Sequence, residues 1–230
     1  VNPYYGGSLP TANYCVRAFD DMGHHAEAVE CDKFAEGFFS IKKTTRNKIN
    51  EESLSNQFGH FMGQLIAAKA ADFQPDLILA LAQAPLTPEA IKNLKKLNVP
   101  IAFWFVEDFR TLSYWKEIAS YYDYFFTIQR GEFFDELSSI GMNNFYYLAQ
   151  GCLPGVHKEI NLPLDDIHQY SADVSFMGAG YYNRVQSFPR LLSHDFKIWG
   201  TEWVLESDIG NRVQNKNKRV GEFLGIIKFS

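Results

Sequence analysis

The order of apolar and polar residues predicts alternating strands and helices along most of the chain. Residues 76–82 and 101–106 are runs of strand length dominated by apolar side chains, typical of strands covered on both faces. Between them, Thr87 and Pro88 favour a helix start, as N-cap residue and first-turn proline. Further strands are predicted at 123–128, 145–148, 173–178 and 196–199, and further helices at 12–22, 53–73, 132–140 and 183–192. Because strands and helices alternate with short connections, we predict a doubly wound parallel sheet of the α/β class.

The two ends of the chain show weaker patterns of apolar and polar residues. A turn sequence follows Val1 at once, as though a strand had lost its beginning, and residues 225–230 form a half-finished apolar run. We therefore expect this chain to be part of a longer polypeptide. A short strand is predicted at 26–29. Residues 30–50 mix charged and aromatic residues without a clear period and are interpreted as loop with weak helix.

The alternation of strands and helices stops after residue 150 and resumes at residue 173. The intervening stretch, 151–172, contains two prolines, two glycines and little periodicity, so we interpret it as a hinge or linker. It separates an N-terminal Rossmann-like domain, 1–150, from the beginning of a second one, 173–230. The predicted fold class is therefore α/β, with two Rossmann-like doubly wound domains of which the C-terminal one is incomplete in this chain.

Composition and charge exclude several classes of protein. A hydrophobic content of 46% with 21% charged residues is ordinary for a globular protein and argues against disorder. The net charge of −5 gives no basic surface for nucleic acid, and the basic run 215–219 is interpreted as a solvated loop. No apolar segment approaches the roughly 20 residues of a membrane span, so a cytoplasmic location is the default expectation. The three cysteines are far apart and form no Cys-x-x-Cys pair, so neither a disulfide framework nor a zinc site is predicted.

The strand predicted at 173–178 leads into a glycine turn and a basic helix start. Gly178 and Gly180 allow a ligand to approach the backbone, and the first N–H groups of the next helix, beside Asn183 and Arg184, favour an anion. Arg184 is suited to charge-assisted hydrogen bonds with a diphosphate, and Gly200 to leaving room for a nucleotide. The alternative is an ordinary strand-to-helix turn in which glycine relieves crowding.

A second set of candidate residues belongs to the N-terminal half. Gly6, Gly7 and Ser8 follow the presumed first strand, where ligands bind in open α/β sheets, so contact with a substrate is predicted there. The run is neither a Gly-x-Gly-x-x-Gly fingerprint nor a Walker loop, and a plain turn is the alternative. Asn13, one helical turn later, is a candidate polar contact. His157 is a substrate-binding candidate because of its position beside the linker.

Two adjacent carboxylates follow the buried strand 101–106. Glu107 and Asp108 are candidates for a general base or for a hydrogen bond to a substrate hydroxyl. The alternative for Asp108 is a structural one, capping the following helix or pairing with a cation such as Arg110. The six histidines include no His-x-x-x-His pair, so no metal site is predicted.

Several of these segments together resemble the CgeB-like family of glycosyltransferases, which is named for spore maturation proteins. The resemblance covers most of the chain and is diffuse. It is carried by 173–178, 182–184, 198–200 and Trp203, and in the N-terminal half by 6–8, 75–76 and 103–108. It implies the GT-B class, in which two Rossmann-like domains face each other across a cleft and the catalytic centre holds neither a metal nor another cofactor.

The resemblance also implies a function and a placement of substrates. The expected activity is transfer of a sugar from a nucleotide diphosphate sugar to an acceptor hydroxyl, with 178–184 near the donor diphosphate and 6–8 near the acceptor. The acceptor is a glycan, a protein or a small molecule. Two alternatives stay open: a different enzyme on the same scaffold, such as a nucleotide-sugar epimerase, and a binding module without catalysis.

Overall fold

The computed structural model describes residues 1–200 and Trp203. The chain divides into two compact units after Lys158. The division falls inside the predicted linker 151–172, and the predicted domain boundaries themselves stay predictions. The basic run 215–219 and the apolar run 225–230 lie outside the described residues.

The first unit contains a four-stranded parallel sheet. Its strands are β1 (Ile78–Leu81), β2 (Ile101–Phe105), β3 (Tyr124–Thr127) and β4 (Phe145–Tyr147), which lie side by side in the order of the chain. Every pairing is parallel, with Ile78 opposite Ile101 and Ala102 opposite Tyr124. The predicted Rossmann-like parallel sheet of the α/β class is thereby confirmed for this unit.

Six α-helices belong to the first unit as described. They are α1 (Ser8–Asp21), α2 (Ala35–Thr44), α3 (Lys48–Phe73), α4 (Pro88–Leu94), α5 (Trp115–Ile118) and α6 (Glu132–Ser139). The start of α4 is as predicted, because the Thr87 hydroxyl accepts a hydrogen bond from the N–H of Ala90 at 3.2 Å.

The interpretation of 30–50 as loop with weak helix understates the helical content of this stretch. This stretch contains a short 3-10 helix (Cys31–Phe34), α2 and the first turn of α3. Helix α3 begins earlier than predicted because Asn47 caps it, accepting from the N–H of Ile49 at 3.0 Å. The ring of Phe38 in α2 stacks on Tyr4 at a centroid distance of 4.7 Å, a contact between distant parts of the chain.

The first residues of the chain lie along the free side of β1. The amine of Val1 donates to the carbonyl of Leu79 at 2.6 Å, and the N–H of Leu81 donates to the carbonyl of Val1 at 3.3 Å. This is the bonding pattern of parallel neighbours. The N–H of Asn2 in turn donates to the carbonyl of Val29 at 3.2 Å. The predicted strand 26–29 is not a regular strand, although Val29 borders the segment that begins at Val1.

Helices cover both faces of the sheet. On one face, Ala12 of α1 packs with Leu81 and Trp104. On the other face, the main core joins the sheet to α3, α4, α5 and α6; its fully buried side chains include Met62, Ile91, Phe103, Phe105, Trp115, Phe125, Phe133 and Leu137. The segment after Val1 and the segment after β1 therefore lead into helices on opposite faces. Such a divergence opens a crevice at the carboxyl ends of the strands, the usual ligand position in open α/β sheets.

The second unit contains a two-stranded parallel sheet. Its elements are α7 (Leu164–Tyr170), β5 (Val174–Met177), α8 (Tyr182–Ser187), a 3-10 helix (Phe188–Leu191) and β6 (Phe196–Trp199). Phe196, Ile198 and Trp203 form its buried core. The strands predicted at 173–178 and 196–199 are confirmed. The helix α7 occupies part of the stretch that was interpreted as linker.

Across the described part of the chain, no helix is both long and apolar enough to cross a membrane. The cytoplasmic location stays a prediction.

Candidate functional site

The glycine turn after Val1 meets the loop after β1. The hydroxyl of Ser8 is buried and donates to the carbonyl of Ala82 at 3.1 Å, which ties the start of α1 to the end of β1. Gly6 has a φ of +97°, and a Cβ at this residue would lie 3.3 Å from Oε1 of Gln83. A side chain at Gly6 would therefore be strained and would press on Gln83.

Gln83 lies at the centre of this polar cluster. Its Nε2 donates to Oε1 of Glu107 at 3.1 Å, and its backbone N–H donates to the hydroxyl of Tyr114 at 2.8 Å. The cluster of Gly6, Ser8, Gln83, Glu107 and Tyr114, which we call the Gln83 cluster, thus connects the loops that follow Val1, β1 and β2. All three loops leave the carboxyl edge of the sheet, where the divergence of α1 and α4 opens the crevice.

Burial raises the pKa of both acidic groups in the Gln83 cluster. Burial raises the pKa of Glu107, and the hydrogen bond from Gln83 opposes that change because it stabilises the carboxylate. Burial also raises the pKa of Tyr114, while the hydrogen bond from the N–H of Gln83 lowers it. Tyr114 is therefore a neutral phenol at physiological pH. Glu107 is a carboxylic acid of reduced strength within reach of the crevice.

The neighbouring carboxylate has a different role. Asp108 is exposed and its Oδ1 accepts a hydrogen bond from the backbone N–H of Arg110 at 2.8 Å, which stabilises the turn after β2. The guanidinium of Arg110 pairs with Glu132 at 2.8 Å. Among its described contacts Asp108 neither caps the following helix nor pairs with the Arg110 guanidinium, and its role in the turn is structural. The geometry therefore favours Glu107 as the carboxylate for chemistry.

The other substrate-binding candidates lie on or against α1. Gly7 is exposed and is the N-cap residue of α1, with α-helical backbone angles. Asn13 accepts through Oδ1 from the buried Asn2 at 3.0 Å, so part of its hydrogen-bonding capacity is used inside the protein. The contacts described for His157 are with Leu153 and Tyr14.

His157 is fixed by those two contacts. Its Nδ1 accepts from the N–H of Leu153 at 2.9 Å, so the neutral ring carries its proton on Nε2. The ring packs edge-on against Tyr14 at a centroid distance of 5.0 Å. No described contact joins His157 to the Gln83 cluster. Among residues 1–200 and Trp203, no three His, Cys, Asp or Glu side chains group as a metal site.

In the second unit, two glycines lie in backbone contact at the carboxyl ends of β5 and β6. The N–H of Gly178 donates to the carbonyl of Trp199 at 2.8 Å, and φ is +153° at Gly178 and +150° at Gly200. A Cβ on Gly200 would overlap the carbonyl oxygen of Gly178. The indole N–H of Trp203 donates to the same oxygen at 3.0 Å. The space expected beside Gly200 for a nucleotide is thus filled on one side by the backbone of Gly178.

Arg184 is folded onto the loop that precedes it. Its Nη1 donates to the carbonyl of Ala179 at 2.7 Å, and its guanidinium lies over the rings of Phe176 and Tyr181, at 5.0 Å and 4.6 Å from their centroids. A guanidinium has five N–H donors, and this hydrogen bond uses one of them. The structure therefore brings Gly178, Arg184 and Gly200 together.

The remaining diphosphate candidates occupy the same loop and helix. Gly180 is half-buried in the loop, and Asn183 is exposed on α8. Helix α8 has six residues, so its dipole adds little to anion binding.

Sequence reasoning missed Gln83 and Tyr114. A signal for Gln83 exists, because it is the first polar residue after a buried strand, as Glu107 is the first after the next one. Tyr114 carries no such signal, since it reaches Gln83 only through the fold. Nothing in the sequence identifies the left-handed backbone of Gln83.

A cavity of about 1330 Å³ lies elsewhere in the first unit and is lined partly by Val1, Val29, Ile66 and Leu77. It extends along β1, where Ile78, Leu79 and Leu81 line it, and its lining includes no member of the Gln83 cluster. Ligands of open α/β sheets bind at the carboxyl edge of the sheet, where the Gln83 cluster lies, so that cluster is the better candidate for chemistry.

No known family model matches the chain, and no curated protein matches it. The class that the fold defines is an α/β protein with a Rossmann-like four-stranded parallel sheet and a further two-stranded parallel sheet. The likeness to the CgeB-like glycosyltransferases stays a hypothesis.

Proposed function

We propose that the chain is part of a GT-B-type glycosyltransferase that transfers a sugar from a nucleotide diphosphate sugar to an acceptor hydroxyl. As the resemblance implies, the reaction proceeds without a catalytic metal. The observation that carries the proposal is the Gln83 cluster. It places Glu107, a carboxylic acid whose pKa is raised by burial, at the carboxyl edge of a parallel sheet beside a glycine turn.

Glu107 is the general base of the proposed reaction. A base works best when its pKa lies near the operating pH, and burial moves Glu107 in that direction. Its carboxylate takes the proton of the acceptor hydroxyl while the hydroxyl oxygen bonds to the anomeric carbon of the sugar. The glycine turn at Gly6 lets the acceptor approach this carboxylate closely.

The donor side of the proposed reaction belongs to the loop of Gly178 and Arg184. The bond between the anomeric carbon and the diphosphate breaks, and the leaving nucleotide diphosphate keeps the electron pair. Backbone N–H groups of the loop and the remaining donors of Arg184 stabilise the negative charge that develops there. Because Arg184 is already held by Ala179 and two aromatic rings, its guanidinium is oriented before the donor binds.

The decisive experiment compares Glu107→Gln with Asp108→Asn in the full-length protein. Products are analysed after incubation with labelled UDP-, GDP- and ADP-sugars and a mixed panel of glycan, peptide and small-molecule acceptors. Loss of a general base lowers kcat by about 10²–10⁴-fold. We expect that loss for Glu107→Gln with little change in donor affinity. Asp108→Asn, which alters only the turn, should lose less than tenfold.

Product analysis and calorimetry separate the alternatives. Free nucleotide plus a glycosylated acceptor supports the proposal, whereas an isomerised donor points to an epimerase. Calorimetric binding of nucleotide diphosphates without turnover points to a binding module. If no nucleotide diphosphate or nucleotide sugar binds, and Arg184→Ala behaves like the unmodified protein, the proposal is wrong.

A further inference from the structure

Gln83 has a left-handed backbone in the tight turn that follows β1, in which the N–H of Ala84 donates to the carbonyl of Leu81 at 2.9 Å. Its φ of +65° is left-handed, as are the φ angles of Gln74 and Asn98 among the described non-glycine residues. Gln74 and Asn98 each follow a helical segment, where a left-handed residue is an ordinary helix end. Gln83 follows a strand and ends no helix. The turn position with a positive φ usually holds glycine or asparagine, so a glutamine there bears a conformational cost that its surroundings must offset.

The contacts of Gln83 show what imposes this conformation. The hydroxyl of Tyr114 accepts from the N–H of Gln83 at 2.8 Å and so holds the backbone, while the carboxamide extends to Glu107 at 3.1 Å and lies beside Gly6. A glycine would adopt the same backbone angles without strain but would provide no carboxamide. The strained residue is thus the one that connects the three loops.

We propose that Gln83 is a positioning residue: Tyr114 holds its backbone in the left-handed conformation, and its carboxamide orients the Glu107 carboxylate at the edge of the crevice. The catalytic meaning of this role rests on the proposed function, but the positioning itself does not. Glu107 has one carboxylate oxygen bound by Gln83, which leaves its other oxygen for a substrate hydroxyl.

The test isolates the carboxamide from the backbone strain. Gln83→Met keeps the side-chain length and the strained conformation but removes the hydrogen-bond donor. Gln74→Met is the matched control, because Gln74 is a second left-handed glutamine that is exposed and precedes β1, whereas the cluster lies beyond the carboxyl end of that strand. Each variant is titrated by carbon NMR of the glutamate side-chain carboxyls, with the Glu107 signal assigned from its absence in Glu107→Gln.

We expect Gln83→Met to shift the titration midpoint of Glu107 upward, because the charged form loses its hydrogen bond. Tyr114 is the other titratable group of the cluster, and it stays neutral throughout this range. Gln74→Met should leave the Glu107 midpoint unchanged. A Glu107 titration that is the same in Gln83→Met and in the unmodified protein would overturn the proposal.

A stability measurement tests the strain separately. Relative to Gln83→Met, Gln83→Gly should raise the midpoint of thermal unfolding by about 2–4 °C, because glycine adopts the left-handed conformation freely.

If turnover is found, Gln83→Met should lower kcat about tenfold at constant KM and move the acidic limb of the pH–rate profile with the NMR midpoint. Absence of any turnover would count against the glycosyltransferase, whereas an unchanged NMR midpoint would count against the positioning role.

Discussion

The carboxyl ends of the two sheets are constructed in opposite ways. At the four-stranded sheet, the loops are joined by side chains, with Gln83 bonded to Glu107 and Tyr114. At the two-stranded sheet, the loops are joined by backbone, with Gly200 against the carbonyl of Gly178. The first end depends on particular polar groups and the second on the absence of a side chain. Different substitutions should therefore destabilise the carboxyl ends of the two sheets.

The largest expected effect is at the glycine contact. Gly200→Ala places a Cβ on the carbonyl oxygen of Gly178, so the loop must move and β5 and β6 must separate locally. We expect a loss of about 3 kcal/mol or more in the second unit, as for other substitutions that strain a special backbone position. Hydrogen exchange of the amides in Val174–Met177 and Phe196–Trp199 measures this loss directly.

The matched control for the glycine contact is Gly131→Ala. Gly131 also has a positive φ, of +62°, but a Cβ there meets nothing within 4 Å. The expected cost of Gly131→Ala is the backbone strain alone, about 1–3 kcal/mol, because its φ of +62° and ψ of −125° are unfavourable for a residue with a Cβ. Equal losses for the two variants would show that the contact between Gly178 and Gly200 adds nothing.

The next effect concerns the hydroxyl that holds Gln83. Tyr114→Phe leaves the N–H of Gln83 without its acceptor, which costs about 1–3 kcal/mol if no water replaces it. Tyr122→Phe is the control, because the buried Tyr122 hydroxyl has no hydrogen-bond partner among the described residues. We expect Tyr122→Phe to be neutral or stabilising. Urea unfolding of both variants measures the difference, and a Tyr122→Phe loss as large as that of Tyr114→Phe would contradict it.

A smaller effect is expected in the pH dependence of stability. Because burial raises the pKa of Glu107, the folded state keeps this proton at a pH where the unfolded chain has released it. The contribution of Glu107 to stability is thus present at low pH and is lost as the pH rises from the unfolded to the folded pKa. Glu107 is only half-buried, so solvent weakens this effect.

Glu107→Gln should remove this part of the pH dependence while leaving the rest of the profile unchanged. Urea unfolding between pH 4 and pH 8 provides the comparison. Glu132→Gln, which breaks an exposed ion pair with Arg110, is the control and should keep the slope of the unmodified protein. A profile for Glu107→Gln that parallels the unmodified protein would be inconsistent with a raised pKa.

The sequence was sufficient for the parallel sheet because buried strands and capped helices leave local signals. The apolar runs 76–82 and 101–106 contain β1 and β2, and Thr87 caps α4 as expected. The sequence was not sufficient for the helices within residues 30–50. Helix α2 is fixed there by aromatic contacts such as Phe38 on Tyr4, and these contacts leave no periodic pattern in the local sequence.

The candidate site was only partly predictable for the same reason. Glycines and carboxylates after strands are visible in the sequence, so Gly6, Ser8 and Glu107 could be named. These residues are joined by Gln83 and the hydroxyl of Tyr114. The sequence reveals neither the left-handed backbone of Gln83 nor its contact with Tyr114, which is 31 positions away in the chain. The choice between Glu107 and Asp108 likewise needed the turn geometry around Arg110.

The smallest expected effect separates packing from binding at Arg184. Arg184→Lys keeps a positive charge and a donor for Ala179 but loses the flat guanidinium over Phe176 and Tyr181, a loss of about 0.5–1 kcal/mol. The exposed Arg190→Lys is the control and should be neutral. Hydrogen exchange in β5 and β6 gives the stability change, and calorimetry with UDP gives the binding change. A loss of UDP binding without a loss of stability would show that Arg184 binds the ligand. A loss of stability alone would show that Arg184 only packs against the end of the two-stranded sheet.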